Sequence, residues 1–342
     1  MKEILNRLFE YKSLTKEESR DSLVKLAKGE FNNSQMAAFL TVYLMRSITV
    51  EELEGFREAM LELCIPVDID EFEAIDLCGT GGDGRDTFNI STLSSFIVAG
   101  AGQNVAKHGN NGVSSVCGSS NLLNHFGYEF TNDIDKLKRD IEDAGICFLH
   151  APLFHPAMKN VAPIRQELGV KTFFNMLGPM VNPSVPKRQL VGVFSLEMAR
   201  LYGYLYQKTN SRFSIIHSLD GYDEISLTGP FKVINKEGEK LINPSDYRLP
   251  RLKPEDLYGG STIEESAKIF ENVLKGKGTK AQSEVVIANA GFAISCGKEI
   301  EIEEGLEQAR ESLFSDEALR RFKRMVEPKT SLNISNDGNN FR

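Results

Sequence analysis

Residues 75–123 restrict this chain to an α/β arrangement, because they pass three times from a short apolar stretch into a turn of glycines or hydroxyls. Ile75, Leu77 and Cys78 open into Gly79, Thr80, Gly81, Gly82, Asp83 and Gly84, the pattern of a strand feeding a tight turn. Glycines there reach positive φ, and successive amides can form an anion-binding nest. Asn89, Ile90, Ser91 and Thr92 stand at the mouth of an apolar helix-like run over 93–101, where free backbone donors and the helix dipole favour an anion. Val105 and Ala106 lead into Lys107, His108, Gly109 and Asn110, followed by Ser114, Ser115, Gly118, Ser119 and Ser120. Each turn alone is an ordinary strand-to-helix connection; three in succession around one lysine make a polyphosphate cradle. The familiar nucleotide fingerprints do not fit. Gly79, Gly81 and Gly84 match G-x-G-x-x-G, but 99–104 is uncharged where an acidic residue belongs, and there is no Gly-Lys-Ser/Thr.

Around this segment the chain divides. Residues 1–63 read as helices: Ile4, Leu5, Leu8 and Phe9 recur at helical spacing, and Thr15 with Glu18 and Thr49 with Glu52 form capping boxes. Ser34 is the expected cap of the helix carrying Met36, Phe39, Leu40 and Tyr43. Pro66 and the acids to Glu73 read as a linker. From 74 strands and helices alternate, which predicts a mainly parallel sheet with strands at 75–78, 104–106, 146–149, 190–194, 213–217 and 231–234. Helices are expected over 134–144, 263–274 and 284–294. Residues 155–186 break the rhythm and are expected to return to the N-terminal helices, while 328–342 is a polar tail expected to fray.

Net charge and apolar pattern exclude some function classes. At 342 residues the formal charge is -8 and the pI about 5.4, which argues against a general nucleic-acid or membrane-surface binder. No apolar run is long enough for a membrane span and residues 1–10 lack a signal-peptide core, so a cytoplasmic protein is expected. The five cysteines are scattered, without a C-x-x-C pair, and read as reduced core thiols.

Asp223 and Glu224 lie in a glycine-containing turn after a strand, which suits either Mg²⁺ or a solvated acidic loop. Arg165, in a helical segment, offers a fork for a carboxylate or a surface ion pair. His108 is a donor, a base or a packed ring; His150 and His155 read as structural or pocket-lining. Gly-x-Ser-x-Gly is absent, so covalent acyl chemistry has no support.

With GTGGDG at 79–84, TFNIST at 87–92, VAKHGN at 105–110, HPAMKNVAPIRQELGVKTFFNMLGP at 155–179 and DGYDEIS at 220–226, the chain resembles the anthranilate phosphoribosyltransferases of tryptophan biosynthesis from about residue 4 to 325. The resemblance implies a small N-terminal all-helical domain (1–66, completed by helices within 155–186), a larger α/β domain (74–327) with a mixed, mainly parallel sheet flanked by helices, and a homodimer through the helical part. It implies phosphoribosyl pyrophosphate on Gly79, Gly82, Asp83, Thr87, Asn89, Ser91, Thr92, Lys107, Ser115 and Ser119. It puts Mg²⁺, two ions per site, on Ser91, Asp223 and Glu224, and anthranilate against Gly79, Asn110 and Arg165 with His108 along its path. Lys107, His108 and Arg165 are the implied catalytic set. Asn111 and Gly112 stand where such proteins often carry an arginine after KHGN. A pyrimidine nucleoside phosphorylase shares the architecture but needs no Mg²⁺, so the Asp223–Glu224 pair favours the transferase. A non-catalytic nucleic-acid-binding relative is opposed by the net charge of -8.

Overall fold

The computed structural model describes residues 1–112 and 116–327; the expected frayed tail and the predicted ligand Ser115 lie outside the described residues. Four helices open the chain: α1 (Lys2–Phe9), α2 (Lys16–Ala27), α3 (Asn33–Met45) and α4 (Val50–Glu62). The capping boxes at Thr15 and Thr49 are formed. That of α3 is not set by Ser34, which sits inside the first turn. Asn32 is the extended residue before the helix, and its side chain accepts from the Gln35 amide at 2.9 Å.

The sheet contains β1 (Ile75–Gly79), β2 (Val105–Gly109), β3 (Ile146–His150), β4 (Arg188–Gly192), β5 (Arg212–Ser218), β6 (Phe231–Asn235) and β7 (Gly238–Ile242). Their order is β3-β2-β1-β4-β5-β6-β7; the first five are parallel, and β6 and β7 pair antiparallel. Intervening helices are α5 (Ile90–Gly100), α6 (Ser119–His125), α7 (Ile134–Ala144), α8 (Ala151–Phe154), α9 (Ala162–Leu168), α10 (Phe174–Leu177) and α11 (Leu196–Gln207). After the sheet come α12 (Ile263–Leu274), α13 (Lys280–Lys298), α14 (Ile302–Phe314) and α15 (Glu317–Val326). The edge strand β7 and the helices α14 and α15 are additions to the sequence reading.

Alternation along the strands sorts the core into layers. Leu190 and Ile216 join the cluster built by α5, α13 and α15, whereas their neighbours Val191 and Ile215 join the cluster of α11 and the N-terminal helices. In that second cluster Val161, Ile164, Phe173, Leu177, Met180 and Val181 pack with Leu23, Phe39, Leu53 and Phe56, and Phe173 stacks on Phe56 at 4.4 Å. The segment between β3 and β4 therefore closes the core of the first four helices. Residues read as a linker are partly core: Val67 and Ile69 are buried in a third cluster with Leu137 and Phe154.

Strand order reverses between β1 and β4, since β1 is followed by β2 on one side and flanked by β4 on the other. Connections leaving such neighbours diverge to opposite faces, and the crevice at their carboxyl ends is where an open α/β sheet binds ligands. Gly79, Gly109 and Gly192 end β1, β2 and β4 there.

Candidate active site

A cleft of about 340 Å³ opens over these strand ends and is lined by Gly79, Gly82, Asp83, Thr87, Asn89, Ser91, Thr92, Lys107, His108, Asn110, Ser119, Arg165, Asp223 and Glu224. Each of these is a residue that the sequence singles out, and the fold brings them together from eight separate elements and loops.

The floor requires glycine. A Cβ on Gly79 would lie 2.3 Å from the Asp223 carboxylate, one on Gly109 would lie 2.5 Å from Ser119 Oγ, and one on Gly192 would overlap the Asp223 carbonyl at 1.5 Å. Gly81 and Gly82 adopt positive φ and turn the loop after β1 over the cleft. The Gly81 amide donates to Asp223 Oδ2 at 2.6 Å, and the Ser91 amide in the first turn of α5 donates to Glu224 Oε1 at 3.0 Å. Asn89 is the cap residue of α5, but its side chain turns away and donates to the Cys117 carbonyl at 2.9 Å.

Lys107 and His108 belong to β2 rather than to the turn after it. Lys107 is buried on the face shared with Val105, and its Nζ donates to the Leu77 carbonyl at 2.7 Å and lies 3.4 Å from Ser91 Oγ. Burial lowers its pKa, against the pull of Asp76. His108 sits on the opposite face with Nδ1 3.2 Å from the Gly178 carbonyl. A carbonyl only accepts, so Nδ1 carries the proton and the buried, unpartnered Nε2 is left as an acceptor. Burial, then the His155 ring at 5.4 Å, pushes its pKa down to about 3, so the ring is neutral.

Arg165 is not the surface ion pair that its helix allows. It is half-buried, its guanidinium lies 5.2 Å from the Phe174 ring centroid, one nitrogen donates to Asn175 Oδ1 at 3.2 Å, and buried Nε has no partner. Burial lowers its pKa. A guanidinium without a carboxylate, facing a cleft, is arranged to receive one. Asn175, Phe174 and Gly178 are site residues that sequence reasoning missed, although all lie in the 155–179 run. Lys171 is a further one: its Nζ donates across the cleft mouth to the Gly82 carbonyl.

On the acidic side of the cleft, Lys107 near Glu224 and Arg85 near Asp83 offset only part of the carboxylates' burial. Burial, then Asp83, pushes the Asp223 carboxyl up to about 7; burial, then Asp223 and Asp83, raises Glu224 well above its ordinary range; burial raises Asp83. Such a set fits a divalent cation, whose charge would permit all three to ionise. Among the described residues no group of three or more His, Cys, Asp or Glu converges as a complete metal cage. A cation there needs oxygens from elsewhere, which matches Mg²⁺ held by one or two carboxylates, water and phosphate. Among the described residues no helix is long and apolar enough to cross a membrane.

Residues 2–64 match the helical bundle domain of the glycosyl transferase family, and residues 71–319 match its a/b domain. The anthranilate phosphoribosyltransferase of Flavobacterium johnsoniae is 59% identical over 327 residues, covering 96% of this chain and 99% of that protein. The Bacteroides thetaiotaomicron protein of the same name is 52% identical over 96% of this chain and 99% of its own length. Among solved structures, that of the Thermus thermophilus anthranilate phosphoribosyltransferase superposes with a TM-score of 0.88 at 33% identity, covering 94% of this chain and 98% of that one. The Saccharomyces cerevisiae enzyme in complex with PRPP and Mg gives a TM-score of 0.87 at 26% identity, covering 94% and 95%.

Proposed function

The chain belongs to the anthranilate phosphoribosyltransferase family, and on that premise we propose that its cleft joins the amine of anthranilate to the anomeric carbon of phosphoribosyl pyrophosphate, releasing pyrophosphate. The observation that carries this reading is the division of one cleft into an acidic, amide-rich side around Asp223 and a side with an unpaired guanidinium at Arg165.

The donor's phosphates lie on the amides and hydroxyls of Gly79, Gly82, Asp83, Thr87, Asn89, Ser91, Thr92 and Ser119. Ser91, Asp223 and Glu224 would hold Mg²⁺, two ions per site. When bound it supplies positive charge that stabilises the departing pyrophosphate. Lys107 adds a fixed, desolvated cation on the same side, and such preorganised charge favours a transition state in which negative charge grows on the leaving group. Arg165 takes the anthranilate carboxylate, with Gly79 and Asn110 bounding the ring, and His108 Nε2 accepts a hydrogen bond from the amine. This orients the nitrogen lone pair toward the anomeric carbon. The C–N bond forms as the C–O bond breaks with its electron pair going to pyrophosphate, and the surplus proton on nitrogen passes afterwards to water. No strong base is required, in keeping with a His108 ring whose pKa is about 3.

We further propose a cytoplasmic homodimer formed by the helical part. Leu8, Phe9, Tyr11, Ala37, Val42 and Met45 line an apolar groove of about 430 Å³, and Tyr11 and Met45 are 75% and 72% exposed, a patch suited to burial against a second copy. The two-part division, 1–66 with helices from 155–186 and 74–327, is supported by the packing of Val161, Phe173 and Leu177 on the first four helices, and the same apolar cluster continues onto β4, β5 and α11.

Anthranilate fluorescence tests the activity directly. Mixing the protein with phosphoribosyl pyrophosphate should abolish the fluorescence only when Mg²⁺ is present. Phosphorolysis of a pyrimidine nucleoside without such loss would overturn the reading.

A further inference from the structure

The loop that carries Asp223 and Glu224 joins β5 to β6 and is bonded internally through Ser218, Asp220, Ser226 and Thr228, but those bonds do not reach the backbone of Ile225. Ser218 Oγ donates to the Glu224 carbonyl at 2.6 Å, and the Ser218 amide reaches the Tyr222 carbonyl at 3.3 Å. What fixes the next residue comes from outside. Asn289, in the middle of α13, accepts the Ile225 amide on Oδ1 at 3.0 Å and donates from Nδ2 to the Ile225 carbonyl at 2.9 Å. The same Nδ2 donates to the Val285 carbonyl of its own helix at 2.9 Å, so every polar atom of the carboxamide is committed.

This pairing imitates a strand ladder on a single residue. A carboxamide presents an acceptor and two donors in one plane without a change of protonation, and Asn289 is buried in the otherwise apolar run VVIANAGFAI. On the other side of the loop the Asp223 backbone presses on Gly192 so closely that a Cβ would not fit. The 223–225 backbone is therefore held between the end of β4 and α13. A void of only about 10 Å³ lies among Asn289, Ser91, Gly192, Asp223 and Glu224, so the loop packs closely on α13 behind the cleft.

We propose that Asn289 is a positioning residue for the metal-binding carboxylates: by pairing both backbone groups of Ile225 it fixes the direction in which Asp223 and Glu224 leave the loop, and through them sets the affinity for a divalent cation. The inference rests on the reading that this pair holds Mg²⁺. Groups that orient metal ligands without touching the metal commonly change affinity by about 10–100-fold when removed.

The test is Mn²⁺ binding to the full chain in the presence of pyrophosphate, followed by electron paramagnetic resonance of the free ion. Asn289→Leu, similar in size but unable to pair Ile225, should weaken Mn²⁺ binding by about tenfold or more. Val286→Ala, which opens a gap in the same buried helix, should lower thermal stability and leave Mn²⁺ affinity unchanged. If Asn289→Leu fails to fold, Asn289→Ser should show the same direction of change. Wild-type Mn²⁺ affinity in a folded Asn289 variant, or an equal loss in Val286→Ala, overturns the role of Asn289. Wild-type affinity in Asp223→Asn/Glu224→Gln overturns the metal assignment itself.

Discussion

Arg165 separates binding from chemistry at the scale of one residue. Its Nε is buried without a partner, so a substrate carboxylate would satisfy a donor that the protein leaves open. Arg165→Ala should raise KM for anthranilate by about 10–100-fold, the worth of a charge-assisted hydrogen bond, with little change in KM for the donor; initial rates at saturating partner substrate check this, and equal rises in both would refute it. The His108 and His155 rings make a pH prediction. Burial depresses them from 6.5 to about 3 and about 4, so the unfolded chain binds protons that the folded one refuses. Their contribution is complete above 6.5, is lost progressively as pH falls below 6.5, and is gone once pH has passed the folded values. Between pH 7 and 5 each ring should cost about 2 kcal/mol of stability. Urea midpoints at the two pH values should differ less for His155→Asn than for the parent chain. Much of the site is legible in the sequence at this scale. Glycine turns, Lys107, Arg165 and the Asp223–Glu224 pair are chemical choices visible residue by residue. Asn289, Gly192 and the committed face of Asn89 are not, because their roles come from approaches between segments far apart in the chain.

At the scale of elements, the capping box of α4 does more than begin a helix. Glu52 accepts the Thr49 amide at 3.0 Å and the Leu14 amide at 2.9 Å, and pairs with Arg46, while being fully buried. Removing one partner of a buried pair strands the other, so Glu52→Ala should cost about 3–5 kcal/mol. Thr49→Ala, which loses only a cap, should cost about 1 kcal/mol; chemical denaturation separates the two, and similar costs would show that Glu52 acts as a cap alone. Parallel strands are legible at their apolar residues, because burial on both faces favours apolar runs, while the polar ends, Lys107 and His108 of β2 and Arg188 and Gln189 of β4, fall outside those runs. The sequence GEKLI of β7 hides its strand, since four of its five residues are exposed at the sheet edge. Asn32 displaces Ser34 as a cap for a similar reason: both side chains can cap, and only the backbone conformation chooses between them.

For the whole molecule, the proposed dimer rests on the exposed groove between α1 and α3. Met45→Glu should convert a dimer into a monomer in sedimentation velocity, and a parent chain that is already monomeric at micromolar concentration would sink the proposal. The cleft depends on a core closed by a late segment. Val161, Phe173, Leu177 and Val181 fill the apolar interior of helices whose own sequence ends at Glu62. A chain emerging from the ribosome therefore cannot finish its first helices when they are made. Their inner faces wait, wet and sticky, until the stretch past Val181 has been synthesised, with three strands of the sheet already behind it. The last part of the first half to be built is also the part that carries Arg165, so the proposed anchor of the acceptor is not in place before that half of the protein has folded.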